Sequence, residues 1–581
     1  MSSRIRALVV DYDGTLASEG EPSKDALALL ERARDRGLRL VLATGRILVE
    51  LLHAFPDALE RFDAIVAENG AVLAAERHER ALAAPVDDAV DRALLARGIG
   101  FRRGFVLIAV SAGTPDREIF EAVGRCGLDC QIVRNRGERM ILPPGVSKAT
   151  GVATALAEIG ISPHSAIAIG DAENDLAMLE ACEVGVAVAN AVVSLKERAD
   201  VVLSAANGKG VSEIVEKLVH GDDEGLRSTR FEVVLGSRSD GSWVRMPASG
   251  TDLLIVGGSG SGKSFAAGLV AEQLIALGYV VCAIDPEGDH APLARLARTT
   301  SLGGTITPPD PDDVARVLRQ SMTSVVVDLS LVSAPERDAW TQRALATLEE
   351  QRETHGIPHW LLIDEAHAPL GRDVSVGRWF RPSHKGHCLV TYRPAEVASV
   401  ALSDLDLLLL LPGRGGVDRE SLEAVASVAG PIAEDVRSRS ASLVFGEALL
   451  LRVGSAPAVE TLTLSNRWVR HVRHWHKYAA AQLPSAQRFY FRAASGALVG
   501  IAGNLVEFHR LLHRCDAETL SRHARAHDFS RWIAGVIADR ELAGTFREIE
   551  RLVAAAPSRA GLQDLRFRML AAVEERYDET E

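Results

Sequence analysis

Cysteine is scarce in this chain of 581 residues: the six copies, Cys126, Cys130, Cys182, Cys282, Cys388 and Cys515, show no zinc-ligand spacing, and only Cys126 and Cys130 lie near one another. A disulfide framework is thereby excluded, and a reducing cytoplasm is the simplest setting. Long apolar runs are missing as well. The stretch ending at Leu411 falls far short of the ~20 residues needed to span a bilayer, and Met1 to Arg6 leads straight into a strand-like run, so neither a membrane span nor a secretory segment is expected. Positive charge is in deficit. The net charge of -13 disfavours nonspecific adhesion to nucleic acid or membrane. Lysine is rare beside arginine, so the lysines at phosphate-binding positions stand out. There is no internal repeat and no low-complexity tract. The length exceeds what one hydrophobic core supports and predicts about three or four domains.

What is present is organised around the middle of the chain. Gly257-Gly258-Ser259-Gly260-Ser261-Gly262-Lys263-Ser264 completes the spacing G-x-x-x-x-G-K-[ST] behind the apolar run Leu253 to Val256. Glycines let backbone N–H groups close around phosphate oxygens, Lys263 reaches the outer phosphates, and the Ser264 hydroxyl suits Mg²⁺. A helix over Phe265 to Leu277, stopped by Gly278, adds its N-terminal dipole to this anion site.

The first 200 residues repeat one design, a strand ending in a polar group, at the sheet edge where α/β proteins place ligands. Ala7 to Val10 delivers Asp11-Tyr12-Asp13-Gly14-Thr15, Leu38 to Ala43 delivers Thr44-Gly45-Arg46, and Ala166 to Ile169 delivers Gly170-Asp171-Ala172-Glu173-Asn174-Asp175, with Lys148 between. In this order the four elements resemble the haloacid dehalogenase (HAD) superfamily of phosphatases. The resemblance implies Asp11 as the nucleophile that becomes an aspartyl-phosphate and Asp13 as general acid/base. It implies Thr44 and Lys148 as holders of the phosphoryl group, and Mg²⁺ held by Asp11, Asp171, Asp175 and the backbone of Asp13. Gly45, Arg46, Asn69 and Asn174 would face the substrate. The α/β segment over about residues 71–147, with strand candidates at Phe105 to Val110, Gln131 to Arg134 and Arg139 to Leu142, resembles the cap of Cof or sugar-phosphate-type members. A cap this small implies a small phosphorylated metabolite, such as a sugar phosphate or phosphoglycolate.

Downstream, Phe231 to Gly236 and Trp243 to Arg245 read as a hairpin. Strands at Val280 to Ile284 and Ser324 to Leu329 follow, the first ending in Asp285-Pro286-Glu287-Gly288-Asp289-His290. The strand at Trp360 to Ile363 then ends in Asp364-Glu365. An acid for the Mg²⁺ shell (Asp364) and one to polarise water (Glu365) are what phosphoanhydride hydrolysis requires. The strand Cys388 to Thr391 offers Thr391 as a γ-phosphate sensor. Together these resemble HerA-type P-loop ATPases, which implies ATP as substrate and ring assembly with an arginine donated between subunits, Arg393 or Arg414. A full N-terminal barrel and a basic track are both lacking, so nucleic acid is the less favoured partner.

From about Asn466 the pattern becomes helical, with aromatic anchors including Phe489, Tyr490, Phe491, Phe508, Phe529 and Trp532. Histidines crowd there: His471, His474 and His476, then the i, i+4 pairs His509/His513 and His523/His527. Such pairs share a helix face, yet no further ligand completes a metal pattern. The expected α/β organisation is therefore a HAD Rossmann-like domain with a small α/β cap (1–219), a linker (220–229), a P-loop parallel-sheet domain (230–465) and an all-α domain (466–581).

Overall fold

The computed structural model describes residues 4–577 except 76–77, 136, 222–224, 373–375, 379, 414–415, 455, 470–482, 484, 494, 538 and 556–558. The first unit is an eight-stranded sheet in the order Val201–Val202, Val184–Ala187, Ala166–Gly170, Ala7–Asp11, Arg39–Ala43, Ala64–Ala67, Val72–Ala75 and His78–Ala81. The first six strands are parallel. All five residues of Ala7–Asp11 and of Ala166–Gly170 are buried, the uninterrupted burial that helices on both faces impose on a parallel strand. The last two strands form an antiparallel edge hairpin on this core sheet.

The cap is a separate four-stranded antiparallel sheet, in the order Gln131–Asn135, Glu138–Leu142, Ile108–Val110 and Phe101–Arg103, with helices Asp88–Leu95 and Asp116–Arg125 and its own apolar core. The segment read as one strand from Phe105 to Val110 is broken at its start. Glu68, fully buried on the core side, accepts hydrogen bonds from the N–H groups of Phe105 (2.8 Å), Val106 (2.8 Å) and Leu107 (3.1 Å), which turns the chain there and ties cap to core. A Cβ at Gly104 would lie 2.5 Å from the Glu68 carboxylate, so this approach requires glycine.

The second unit carries an eleven-stranded sheet. Seven strands are parallel, in the order Leu407–Leu410, Leu253–Val256, His387–Thr391, Trp360–Ile363, Val281–Asp285, Ser324–Asp328 and Thr299–Gly303. Four antiparallel strands extend it through Glu447–Arg452, Ala458–Leu464 and the expected hairpin Glu232–Ser237/Trp243–Pro247. Apolar clusters cover both faces.

The third unit is helical, with helices Leu505–Arg514, Ala517–Arg525, Arg540–Ala555 and Arg559–Tyr577. Phe489, Tyr490 and Phe491, read as helical anchors, instead form a two-stranded hairpin, Phe489–Arg492 with Leu498–Ala502. A run of three aromatics suits a pleated surface, and it buries Phe489 and Phe491 against Phe508 and Phe529 while Tyr490 faces outward. His523 accepts from the Arg492 N–H and bonds Asp528, while His527 bonds Glu550, so this histidine pair stabilises the unit. His471, His474 and His476 lie outside the described residues.

The first two units are joined through the amino-terminal ends of their strands. Arg6, just before Ala7–Asp11, donates to the Arg352 carbonyl (3.3 and 3.2 Å), and Ser165, just before Ala166–Gly170, donates to the Gly356 carbonyl (3.3 Å). Fully buried Glu183 accepts from Tyr279 (2.8 Å) and Ser249 of the second unit. It also bonds His164 (2.9 Å), whose other ring nitrogen meets the Leu277 carbonyl (2.9 Å). Arg230 secures the connection, bonding Asp200 and the carbonyls of Leu179, Glu180, Cys182 and Glu183. Burial opposes ionisation of Glu183, but the bonds from His164, Ser249 and Tyr279 outweigh it and hold the carboxyl below its usual range. Asp252 and Glu349, deeper in the second unit, are likewise held low against burial, chiefly by His387 and Arg352 respectively. A depressed carboxylate adds stability above its unfolded pKa and loses it as pH falls through the folded value. Melting temperature is therefore expected to drop once pH falls below the ordinary carboxyl values of 3.8 and 4.5. Glu183→Ala, which strands three donors, is expected to cost about 2–4 kcal/mol in urea denaturation at pH 7; an unchanged midpoint would refute the joint's contribution.

Candidate functional sites

At the carboxyl end of the first sheet, Asp11, Asp171 and Asp175 bring ligand oxygens within 4.8 Å of one another, and all three are buried. Lys148, 1% exposed, starts the helix Lys148–Glu158 behind a Ser147 capping box and donates to Asp11 (2.6 Å) and Asp175 (2.6 Å). The other Asp175 oxygen is held by the N–H groups of Asp171 (2.9 Å) and Ala172 (3.0 Å), and Thr15 donates to Asp171 (3.1 Å). Three carboxylates against one ammonium leave two negative charges in excess in a buried pocket. Burial pushes the Asp11 carboxyl up to about 7, Asp175 adding to the shift and Lys148 opposing it. A hard dication is what this oxygen set accommodates. Among the described residues, no other set of three or more histidine, cysteine or carboxylate side chains converges this closely.

Asp13 stands outside that trio. Its carboxylate is gripped by Arg46 through two bonds of 2.8 and 2.6 Å, and the guanidinium lies over the Tyr12 ring at 5.0 Å. Thr44 is fully buried and accepts the Arg46 N–H at 3.0 Å, while Asn174 donates to Asn69 at 3.0 Å, bringing two distant sequence elements together. The Asn174 Oδ1 atom is buried with no hydrogen-bond partner among the described residues. A cavity of about 520 Å³ opens from Asp13, Gly45 and Arg46 on the core to Arg102, Asn135, Glu138 and Met140 on the cap. A Cβ at Gly45 would meet Met140 at 2.6 Å and Asn135 at 2.7 Å, so the cap rests on this loop. Arg102 spans the mouth, pairing with Glu50 of the core (2.6 Å) and Glu138 of the cap (2.7 Å). Thr15 and Arg102 escaped the sequence reading as site residues: Thr15 adjoins the Asp-x-Asp element, whereas nothing in the sequence signals Arg102. Glu68 belongs to the run Glu68-Asn69-Gly70-Ala71 at the crossing into the cap, which resembles the Cof type, but its hold on the cap backbone is visible only in the fold.

In the second unit, Gly257 to Ser264 forms the turn between the strand Leu253–Val256 and the helix Lys263–Ala276. Gly260 (φ 76°) and Gly262 (φ 97°) occupy left-handed conformations that expose successive N–H groups. Lys263 donates to the Gly258 carbonyl (3.3 Å) and lies 5.6 Å from the Tyr392 ring centre. Ser261 Oγ is buried without a partner among the described residues. Asp364 and Glu365 follow the strand Trp360–Ile363, which is separated from Leu253–Val256 by His387–Thr391. His290 bonds Asp364 at 3.1 Å, and Asp285 gathers the N–H groups of Gly288, Asp289 and His290 into a tight turn. Burial resists the Asp364 charge, but His290 more than offsets it, and the carboxyl is held low. Glu365 behaves oppositely, pushed up to about 7 by burial and by Asp364. Its φ of 50° is a strained backbone of the kind concentrated at functional sites. Thr391 is fully buried and touches His367 at 3.1 Å. Arg393 pairs with its neighbour Glu396 (3.2 Å), and Arg414 lies outside the described residues.

A buried acidic trio with its lysine, at the carboxyl ends of parallel strands and beneath a cap, is the site of a capped hydrolase built on a Rossmann-like sheet. Residues 8–92 and 126–215 match the haloacid dehalogenase-like hydrolases, and residues 250–370 match the family described as helicase HerA, central domain. Phosphoglycolate phosphatase of Methanothermobacter thermautotrophicus is 32% identical over 227 residues, covering 37% of this chain and 99% of that protein. Phosphoglycolate phosphatase 2 of Saccharolobus solfataricus is 30% identical over 222 residues, covering 36% and 91%. A solved haloacid dehalogenase-like hydrolase from Bacteroides thetaiotaomicron is 22% identical with a TM-score of 0.32, covering 37% of this chain and 99% of that one. The chain belongs to the haloacid dehalogenase-like hydrolases, here fused to a HerA-like unit. No helix among the described residues is long and apolar enough to cross a membrane.

Proposed function

We propose that the first unit is an Mg²⁺-dependent phosphatase acting through an aspartyl-phosphate on a small phosphorylated metabolite, of the sugar-phosphate or phosphoglycolate class, and that the second hydrolyses ATP. The buried trio beside Lys148 carries the reading. Asp11, Asp171 and Asp175 would hold Mg²⁺, with the Asp13 backbone completing the protein's share. When bound, the ion neutralises charge on the ester and on Asp11. Lys148 adds a fixed positive charge beside the attacking oxygen, and Thr44 offers its hydroxyl to the phosphoryl group. Asp11 attacks phosphorus as the P–O bond to the alcohol breaks; Asp13 supplies the proton the alcohol needs and later takes one from the water that opens the acyl phosphate. Arg46 holds Asp13 aimed at the cavity, and the cap keeps bulk water out. Hydrolysis of phosphoglycolate, sugar phosphates and p-nitrophenyl phosphate tests this. Turnover is expected with Mg²⁺ and is lost in EDTA; activity indifferent to chelation would refute the metal's part.

In the second unit, Gly257, Gly258, Ser259, Gly260, Ser261 and Gly262 would cradle the ATP phosphates, with Lys263 on the outer ones. Ser264 and Asp364 would serve Mg²⁺, Glu365 would polarise water, and Thr391 would sense the γ-phosphate. The match to a helicase central domain favours a second reading, a nucleic-acid motor or defence-type assembly with an accessory phosphatase. DNA that accelerates ATP turnover in a salt-dependent manner would select it. Self-assembly through the ATPase unit is part of either reading.

A further inference from the structure

The nucleotide site contains one side chain that touches two of its working residues and the aromatic ring beside a third. His367 Nδ1 lies 3.1 Å from Thr391 Oγ1 and 3.4 Å from Glu365 Oε2. The second distance is a contact short of a formed hydrogen bond, and Glu365 Oε2 is buried with no such bond among the described residues. The His367 ring meets Tyr392 edge-on, centroids 4.7 Å apart at 76°, and Tyr392 is the ring beside which Lys263 rests at 5.6 Å. Thr391 is itself fixed, its Oγ1 accepting the Arg393 N–H at 2.9 Å. Glu365, by contrast, has a strained backbone and a carboxylate oxygen, Oε2, that makes no hydrogen bond among the described residues and rests beside this imidazole. An Nδ1 placed between a carboxylate and a hydroxyl oxygen is best satisfied by carrying a proton and donating it.

We propose that His367 is the positioning residue of this site: through Nδ1 it ties Glu365, the water-polarising acid, to Thr391, and through its ring it links both to the aromatic seat of Lys263. The proposal rests on the ATPase reading given above. Withdrawal of Lys263 from Tyr392 onto a nucleotide phosphate would free the ring against which His367 packs, so lysine engagement and carboxylate orientation are set by one contact chain.

The test uses the full chain and ATP, with steady-state phosphate release for turnover and equilibrium dialysis for affinity. In His367→Asn the amide nitrogen stands near the position of Nδ1, and in His367→Gln near that of Nε2. A residue that merely fills space would not distinguish them. The Gln and Ala variants are expected to lose about thirtyfold or more in kcat with ATP affinity within about threefold, and Asn to recover to within about fivefold of the parent. Combining Thr391→Val with His367→Ala is expected to cost little beyond the worse single change, because both break one link. Equal rates for Asn and Gln, or fully multiplicative losses in the double variant, would overturn the inference while leaving the ATPase reading intact. A parent that neither binds nor hydrolyses ATP would overturn both.

Discussion

Asp11→Asn is expected to reduce phosphate-ester hydrolysis by at least a thousandfold, because the amide removes the attacking oxygen and no other carboxylate takes its place. Asp171 accepts from Thr15, Asp175 is fixed by Lys148 and two backbone N–H groups, and Asp13 is held by Arg46, so each neighbour is tied into another position. The same substitution is expected to raise, not lower, the melting temperature of the metal-free protein. Folding places Asp11 where burial and the Asp175 charge oppose ionisation, moving its carboxyl from 3.8 to about 7. A raised carboxyl binds its proton more tightly in the folded state, so between those values the folded chain holds more protons than the unfolded one and stability falls as pH rises. Asp285 and Glu365, also pushed to about 7 mainly by burial, act in the same direction. In EDTA the melting temperature should therefore decline from about pH 4 towards neutrality, and Asp11→Asn should flatten that decline. Adding Mg²⁺ should stabilise the parent at pH 7 and leave the variant nearly unmoved. Full ester hydrolysis by the variant would end the aspartyl-phosphate proposal, and an equal response of both proteins to Mg²⁺ would remove Asp11 from the metal site.

Lys263→Ala and Glu365→Gln are expected to abolish ATP turnover, by about a hundredfold or more each, with different signatures. The first removes the cation that draws the phosphates into the loop, so nucleotide affinity falls along with rate. The second keeps the shape and loses the water-polarising charge, so binding survives and turnover does not. Neither is expected to alter ester hydrolysis directly, for a reason that lies in the joint between the units. Arg6, His164, Ser165 and Glu183 meet Arg352, Gly356, Tyr279 and Ser249 where the strands begin, whereas Asp11, Asp171, Asp285 and Asp364 sit where those or neighbouring strands end. Each site thus stands about a strand's length, ~16 Å, beyond the joint, on the side facing away from it. Neither site can hand a reaction product directly to the other. An effect of ATP on ester hydrolysis would have to travel through the shared strands, and comparing the two assays in Glu183→Ala would reveal it.

Much of both sites was legible because their residues occupy fixed positions at the ends of strongly apolar strands. The runs Ala7 to Val10, Ala166 to Ile169, Leu253 to Val256 and Trp360 to Ile363 identify themselves by burial alone, and the polar residue that ends each one marks the crevice edge. Lys148, 137 residues from Asp11, was recognisable only through the resemblance of the four elements, in their order, to the haloacid dehalogenase superfamily; its Ser147 cap and its bond to Asp11 came from the fold. The hairpin at Phe489 was misread as helix because short aromatic runs fit either period until a packing partner selects one.

By itself, then, the sequence determined the α/β character of the first two units, the glycine turn from Gly257 to Ser264 and the identity of the acids, lysines and hydroxyls that end their strands. Those features are local: they depend on apolar periodicity, on glycine at positive φ and on which residue follows a buried strand. Only the tertiary structure decided that Glu68 pins the cap, that Arg46 grips Asp13, that His367 bridges Glu365 and Thr391, and that Glu183 locks the units so that their sites face apart. Each of these is a contact between buried polar groups brought together by chain folding. Its worth depends on desolvation and on the partner's orientation, which no single stretch of sequence encodes.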